Sequence, residues 1–260
     1  MDLGLKDKHV LITGGSKGIG FDCAKLFLEE GAKVSLISRS MDTLKIAQQK
    51  LNAGNRVAIF SADLIARDQV ANSILQIESQ MRAIDVLVNS AGAARRTPAL
   101  ELTEASWHDA MDAKYFTYIH AMNAVLPLMA KRKTGVVVNV IGMGGKMATT
   151  IHIAGGAANA ALMLATAGLG QAYAPHGVRV VGVNPGATIT ERLKEGMAAD
   201  ARSQGITPEE ALEIATKKMP MGRIAEPREI ADAVVYLASK RASYVNGATL
   251  GMDGGLTSVI

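Results

Sequence analysis

Two stretches of this chain set chemically useful groups at defined spacings. In YLASK, residues 236–240, a tyrosine and a lysine stand four apart. On a helix that places an ammonium beside a phenol, which holds the phenol's pKa down and makes it a usable acid. In TGGSKGIG, residues 13–20, Gly14, Gly18 and Gly20 follow an apolar run and open a helical pattern. Glycines so placed allow a tight turn, close approach of backbone to a pyrophosphate, and close packing of helix on strand. The helix that starts at Gly18 points its free N–H groups at the phosphates.

Such groups need a frame, and the hydrophobic pattern supplies one. HVLIT (9–13), KVSLIS (33–38), RVAIFS (56–61), DVLVN (85–89), GVVVNVI (135–141) and VRVVGVN (178–184) are β-branched runs separated by helical stretches. Runs apolar on both faces with helices between them specify a parallel sheet covered on both sides. Right-handed crossovers make it doubly wound, of Rossmann type. No linker or repeat divides the 260 residues, so a single α/β domain over 1–260 is expected. Residues 103–133 read as one long helix. Residues 187–224 form a polar excursion past a strand's carboxyl end, where a substrate lid belongs.

Composition narrows the function classes. Net charge is +4, with basic runs at Arg95-Arg96 and Lys131-Arg132-Lys133, but only 4% of the chain is aromatic and none is interleaved with them. Nucleic-acid binding is not expected, and residues 131–133 read as a solvated helix end. No apolar run long enough to span a membrane is recognised, and the start, MDLGLKDKHV, does not have the layout of a secretion signal. The one cysteine, Cys23, lies in a helical pattern and reads as a small core residue. A reducing cytoplasm follows as the expected compartment. No metal is expected.

TGGSKGIG, Ala62-Asp63 after the third run, NSAG (89–92), NPGATIT (184–190) and GRIAEPREIADAVVYLAS…YVNGATLGMDGG occur in that order. With them the chain resembles the short-chain dehydrogenases/reductases over nearly its whole length. The resemblance implies a seven-stranded parallel sheet, a nicotinamide dinucleotide in the crevice, a small-molecule substrate and a homotetramer. It puts Ser16, Lys17 and Ile19, with the loop glycines, around the dinucleotide. Asp63, with Leu64 next to it, would lie on the adenine, and Asn89, Ala91 and Gly92 along the adenosine ribose. Pro185, Gly186, Thr188 and Thr190 would hold the carboxamide. Users of NAD in this fold carry an acidic residue at the end of the second strand. Here that place reads Ser38-Arg39, and Lys17 stands in the glycine loop. Two cations and no carboxylate suit a 2′-phosphate, so NADP(H) is expected in preference to NAD(H), unless Arg39 simply faces solvent.

The family's catalytic residues are another matter. Its motifs place a serine after the fifth strand, a tyrosine thirteen further on, a lysine four beyond that, and an asparagine in the long helix. Here those positions hold Gly142, Gly155, Asn159 and Lys114. No serine lies between Trp107 and Arg202, and no tyrosine between Ile119 and Ala172, so a shift of register restores nothing. The Tyr236/Lys240 pair falls where the family packs a helix end away from the nicotinamide. Tyr236 is expected in the core and Lys240 at a helix C-terminus; the pair is a decoy.

Lysine and asparagine have exchanged places between 114 and 159. One reading sends the Lys114 ammonium into the vacated space while Asn159 keeps a ribose hydrogen bond; the other treats the exchange as drift. His152, three residues before Gly155, is a second candidate acid whose ring would lie over the missing phenol, or a helix-start residue only. Lys146 and Arg95-Arg96 stand near the mouth, where the arginines would meet an acidic substrate or remain solvated. Gly142 and Gly155 leave a smooth, wide wall. The first functional reading is an NADP(H)-dependent oxidoreductase on a carbonyl or alcohol, with Lys114 or His152 as acid. Alternatives are a non-redox enzyme on an activated carbonyl compound, with Lys114 as electrophile, and a silent dinucleotide-binding protein.

Overall fold

All six apolar runs become strands in the computed structural model, which describes residues 2–92 and 94–257. They are β1 (His9–Thr13), β2 (Lys33–Ser38), β3 (Val57–Ser61), β4 (Val86–Asn89), β5 (Gly135–Val140) and β6 (Val178–Pro185), followed by β7 (Thr249–Met252). The seven form one sheet in the order β3-β2-β1-β4-β5-β6-β7, and every pairing is parallel. The winding reverses between β1 and β4. A ligand crevice therefore opens there, at the strands' carboxyl ends.

The helices are α1 (Gly18–Glu29), α2 (Met41–Leu51), α3 (Arg67–Gln80), α4 (Glu104–Ala110), α5 (Thr117–Arg132), α6 (Ile153–Tyr173), α7 (Glu191–Gln204), α8 (Pro208–Lys217) and α9 (Pro227–Ala238). Two cores result. Phe27, Leu44, Ile230 and Val234, from α1, α2 and α9, pack on one sheet face. Ile74, Tyr118, Met122 and Leu162, from α3, α5 and α6, pack on the other. Cys23 is fully buried in the first, and burial pushes its thiol pKa far up, as suits an inert core residue.

Four expectations need correction. The helix expected over 103–133 is not continuous: residues Met111–Phe116 form a π-helical turn between α4 and α5. A π turn inserts one extra residue and re-aims the side chains on it, and Lys114 is the residue it turns inward. Next, α6 opens an uncharged stretch, Ile153–His176, that is by length and composition able to cross a membrane. Its buried stripe, Ala158, Leu162, Thr166 and Gly170, faces protein. Tyr236 is not core but 43% exposed. Finally, α9 ends at Ala238, so Tyr236 and Lys240 share no helical turn, and Lys240 opens a short 3-10 turn.

The solvated end expected at 131–133 holds for Lys131 and Lys133, while Arg132 bridges to Glu78 at 3.0 Å. Lys133 itself terminates α5 in the left-handed conformation, φ 55°.

With both side chains outside any helical pairing, Tyr236→Phe and Lys240→Ala should each change unfolding free energy by no more than about 0.5 kcal/mol. Dinucleotide affinity should be unchanged in both. Chemical denaturation and calorimetric titration check this.

Candidate functional site

The glycine turn at β1–α1 has the shape its spacing implies. Gly14 has φ 67°, and a Cβ there would lie 2.7 Å from Ala91 Cα. A Cβ on Gly20 would lie 2.5 Å from the Gly14 carbonyl oxygen. The turn is a cradle that side chains would fill, and the exposed Lys17 stands at the α1 N-cap beside it. Across the cleft, the Thr190 hydroxyl caps α7 by accepting from Leu193 N, and its methyl faces Gly18. Gly186 donates to Met252 O, and Thr188 to Gly186 O, which shapes the turn after Pro185.

Among the described residues, Ser38 Oγ at the end of β2 and Asn159 Oδ1 on α6 are buried without a partner. A buried acceptor or hydroxyl left alone costs about 1–3 kcal/mol. Each is a group that could take a hydrogen bond from a ligand hydroxyl, which is compatible in chemistry with the cofactor that the glycines imply. Arg39 is exposed next to Ser38. Asp63 accepts from Ile65 N, and Leu64 O accepts from the His120 ring.

Asn89 is positioned differently from the expected ribose contact. Its side chain is fully buried, and its amide donates to Asn139 Oδ1 at 3.0 Å. Asn139 in turn donates to Thr166 Oγ1 at 2.9 Å. The row ties β4 through β5 to α6. Thr13 Oγ1 completes it by accepting from Ser90 N and Ala91 N.

Gly142 and Gly155, which the resemblance sets at the serine and tyrosine positions, would each resist a side chain. Gly142 has φ 132°, a conformation rarely open to a residue with a side chain. A serine here would be strained. At Gly155 the cause is His152. A Cβ added there would collide with the imidazole, 2.6 Å from Nε2 and 2.7 Å from Nδ1. The wall is therefore not empty at 155, because the ring occupies that space. Among the described residues, His152 Nδ1 is buried without a partner. Burial first, then the charges of Arg192, Arg96 and Lys114, hold its imidazolium down to about 4, so the ring is neutral at physiological pH.

Lys114 is only 7% exposed. Its Nζ donates to Tyr118 Oη at 2.8 Å and to Val140 O at 3.0 Å, and lies 4.4 Å from the Tyr118 ring centre. Tyr118 Oη also donates to Val140 O, at 2.5 Å. The π turn that delivers Lys114 is fixed against the loop after β4, since a Cβ on Gly92 would run into Ala113 O. Burial, and then the Arg192 charge, hold the Lys114 ammonium down to about 7. Burial pushes the Tyr118 phenol far above its ordinary value.

Arg192 and Arg96 complete the mouth. Arg192, in the first turn of α7, donates from Nη2 to Ala94 O at 2.9 Å. Arg96 pairs with Asp200 of α7 at 3.2 Å, its guanidinium lying on Gly196. The two arginines hold α7 to the loop after β4. Lys146 and Arg95 are solvated.

Sequence reading did not single out Tyr118, Arg192 or the Asn139–Thr166 row. Tyr118 carried a signal, because Lys114 and Tyr118 stand four apart like the decoy pair, in reverse order. Arg192 carried none.

Residues 14–257 match the family described as enoyl-(acyl carrier protein) reductase. Gluconate 5-dehydrogenase of Gluconobacter oxydans is 32% identical over 254 residues, 97% of this chain and 96% of the relative. The structure of L-sorbose reductase from Gluconobacter frateurii, complexed with NADPH and L-sorbose, superposes with TM-score 0.92 at 26% identity, covering 100% of both chains. An NADPH-bound short-chain oxidoreductase of Pseudomonas aeruginosa PAO1, described as containing an atypical catalytic centre, gives TM-score 0.88 at 28% identity. It covers 98% of this chain and 100% of its own.

The contact between His152 and Gly155 makes a reciprocal prediction. Gly155→Ala alone should destabilise the protein by about 1–3 kcal/mol through overpacking. In a His152→Ala background the same change should cost less than about 1 kcal/mol. A double-mutant cycle by denaturant unfolding measures the difference, and equal costs would exclude the contact.

Proposed function

The chain belongs to the short-chain dehydrogenase/reductase family, and from that premise we propose an NADP(H)-dependent oxidoreductase on a small carbonyl or alcohol compound, with Lys114 as its proton donor and acceptor. The observation that carries this reading is the Lys114 ammonium, buried at the end of β5 and poised near neutrality. A general acid works best with a pKa near the operating pH. Lys114 meets that condition without the family's tyrosine.

A bound nicotinamide dinucleotide would supply or accept the hydride. Lys114 Nζ would give a proton to the oxygen of a carbonyl being reduced, and would take it back in alcohol oxidation. Tyr118 keeps its own proton, because burial holds the phenol neutral. Its hydroxyl, by contacting both Nζ and Val140 O, fixes where the ammonium points. The neutral His152 ring, lying over Gly155, contributes a polar edge to the same pocket without competing for protons. Asn159 Oδ1, unpartnered, is the ribose acceptor.

The preference for NADP(H) is supported by the exposed Arg39 and Lys17 and by the absence of a carboxylate at Ser38-Arg39. The NADPH in the two solved structures named above agrees with it. The helices α7 and α8, spanning most of 187–224, act in this reading as the substrate lid.

NADPH should bind at least several-fold tighter than NADH, and Arg39→Asp should reverse the order; calorimetry with both dinucleotides checks it, and equal affinities would remove the argument. Lys114→Ala should abolish turnover while NADPH affinity is retained. Because the acid must be protonated for reduction, kcat/KM for a carbonyl substrate should be level below pH 7 and fall as pH rises through about 7. A profile rising through that value, or full turnover in Lys114→Ala, would move the proton transfer elsewhere.

A further inference from the structure

Three segments meet at the mouth of the cleft and are bonded to one another. Thr97 N, in the loop after β4, donates to Ile151 O beside His152 at 2.9 Å. Arg192 of α7 donates to Ala94 O in the same loop. Arg96 of that loop pairs with Asp200 of α7. Through Gly92 and Ala113 the loop also abuts the turn that carries Lys114.

The charges on these segments do not balance. Arg96 has Asp200 as its carboxylate. Among the described residues, Arg192 has no carboxylate in ion-pair range, and Glu195 acts on it only at longer range. The positive charge of Arg192 nonetheless reaches Lys114, Tyr118 and His152. The loop that holds its guanidinium is bonded to Ile151 beside His152 and abuts the Lys114 turn, so Arg192 stands at the mouth these groups share. One of its nitrogens is used on Ala94 O, and among the described residues the rest of the planar fork has no protein acceptor. Grouped cations without an anion repel one another. A planar fork with free N–H groups matches a carboxylate in two parallel hydrogen bonds.

We propose that Arg192 is the seat of a carboxylate on the substrate, so that the site takes an oxo acid or hydroxy acid whose carboxyl group lies close to the reacting carbon. The assignment rests on the oxidoreductase reading, because it is the Lys114 pocket that puts the reacting carbon next to Arg192. A carboxylate there gives the uncompensated cation its partner and orients the neighbouring carbonyl toward Lys114. A neutral ketone of the same size has nothing to offer the guanidinium.

The test uses the NADPH-loaded full chain. Pyruvate, 2-oxobutyrate and acetoacetate are titrated calorimetrically, each against its methyl ester, which keeps the ketone and removes the charge. At least one acid should bind about tenfold tighter than its ester. Arg192→Gln should abolish that difference, and Arg192→Lys should retain part of it. NADPH affinity should stay within about twofold in both variants, since the contact belongs to substrate.

Equal binding of acids and esters to the wild type, or no binding of any acid, would overturn the proposal without recourse to a variant. So would a loss of NADPH affinity in Arg192→Gln as large as the loss of acid, which would give the arginine to the dinucleotide's phosphates. If the wild type does not bind NADPH, or Lys114→Ala keeps full turnover, the oxidoreductase reading fails. The same acid and ester titration on the unloaded chain still decides for or against Arg192.

Discussion

The carbonyl of Val140 accepts from two donors, the ammonium of Lys114 and the phenol of Tyr118. An ammonium inside a core is costly unless its hydrogen bonds are met. Here it has two acceptors and an aromatic face. Much of the site's form follows from keeping that group in place. The π turn aims it inward. Gly92 lets the β4 loop press against that turn, and the parallel pairing of β5 between β4 and β6 holds Val140 at the cleft's floor.

The same burial sets the chemistry. Lysine loses its usual strong preference for the charged form, while tyrosine beside it gains a stronger preference for the neutral one. In the pair that the family resemblance implies, the lysine works in the other sense and lowers the pKa of the tyrosine. Here desolvation dominates both groups, and the lysine is left as the one that titrates near neutrality. Gly142 and Gly155 fit this arrangement. The first has a backbone conformation that strains a serine, and the second yields its side-chain space to His152. A side chain at either glycine therefore meets backbone strain or the His152 ring.

The glycine cradle and the sheet were legible before any coordinates. Both are written in local code: runs of β-branched residues with helical spacing between them, and glycines where φ must be positive or a Cβ would collide. The departures in the fold have identifiable physical sources. The helix over 103–133 reads as continuous because a π turn leaves helical periodicity nearly intact. Tyr236 reads as core because apolar neighbours surround it in the sequence, whereas α9 stops at Ala238 and leaves it on the rim.

From the sequence alone came the doubly wound parallel sheet, the glycine turn after its first strand, the expectation of a replaced tetrad, and the candidacy of Lys114, His152 and Asn159. Each of these rests on residue type and short-range spacing. Only the tertiary structure decided what those candidates touch. Lys114 meets a carbonyl 26 residues away, Asn89 an amide 50 away, and Arg192 a carbonyl 98 away. Protonation states follow the same rule, because burial is the first cause of the shifts at Lys114 and His152. Burial is a property of the packed chain, set by segments that the sequence keeps far apart.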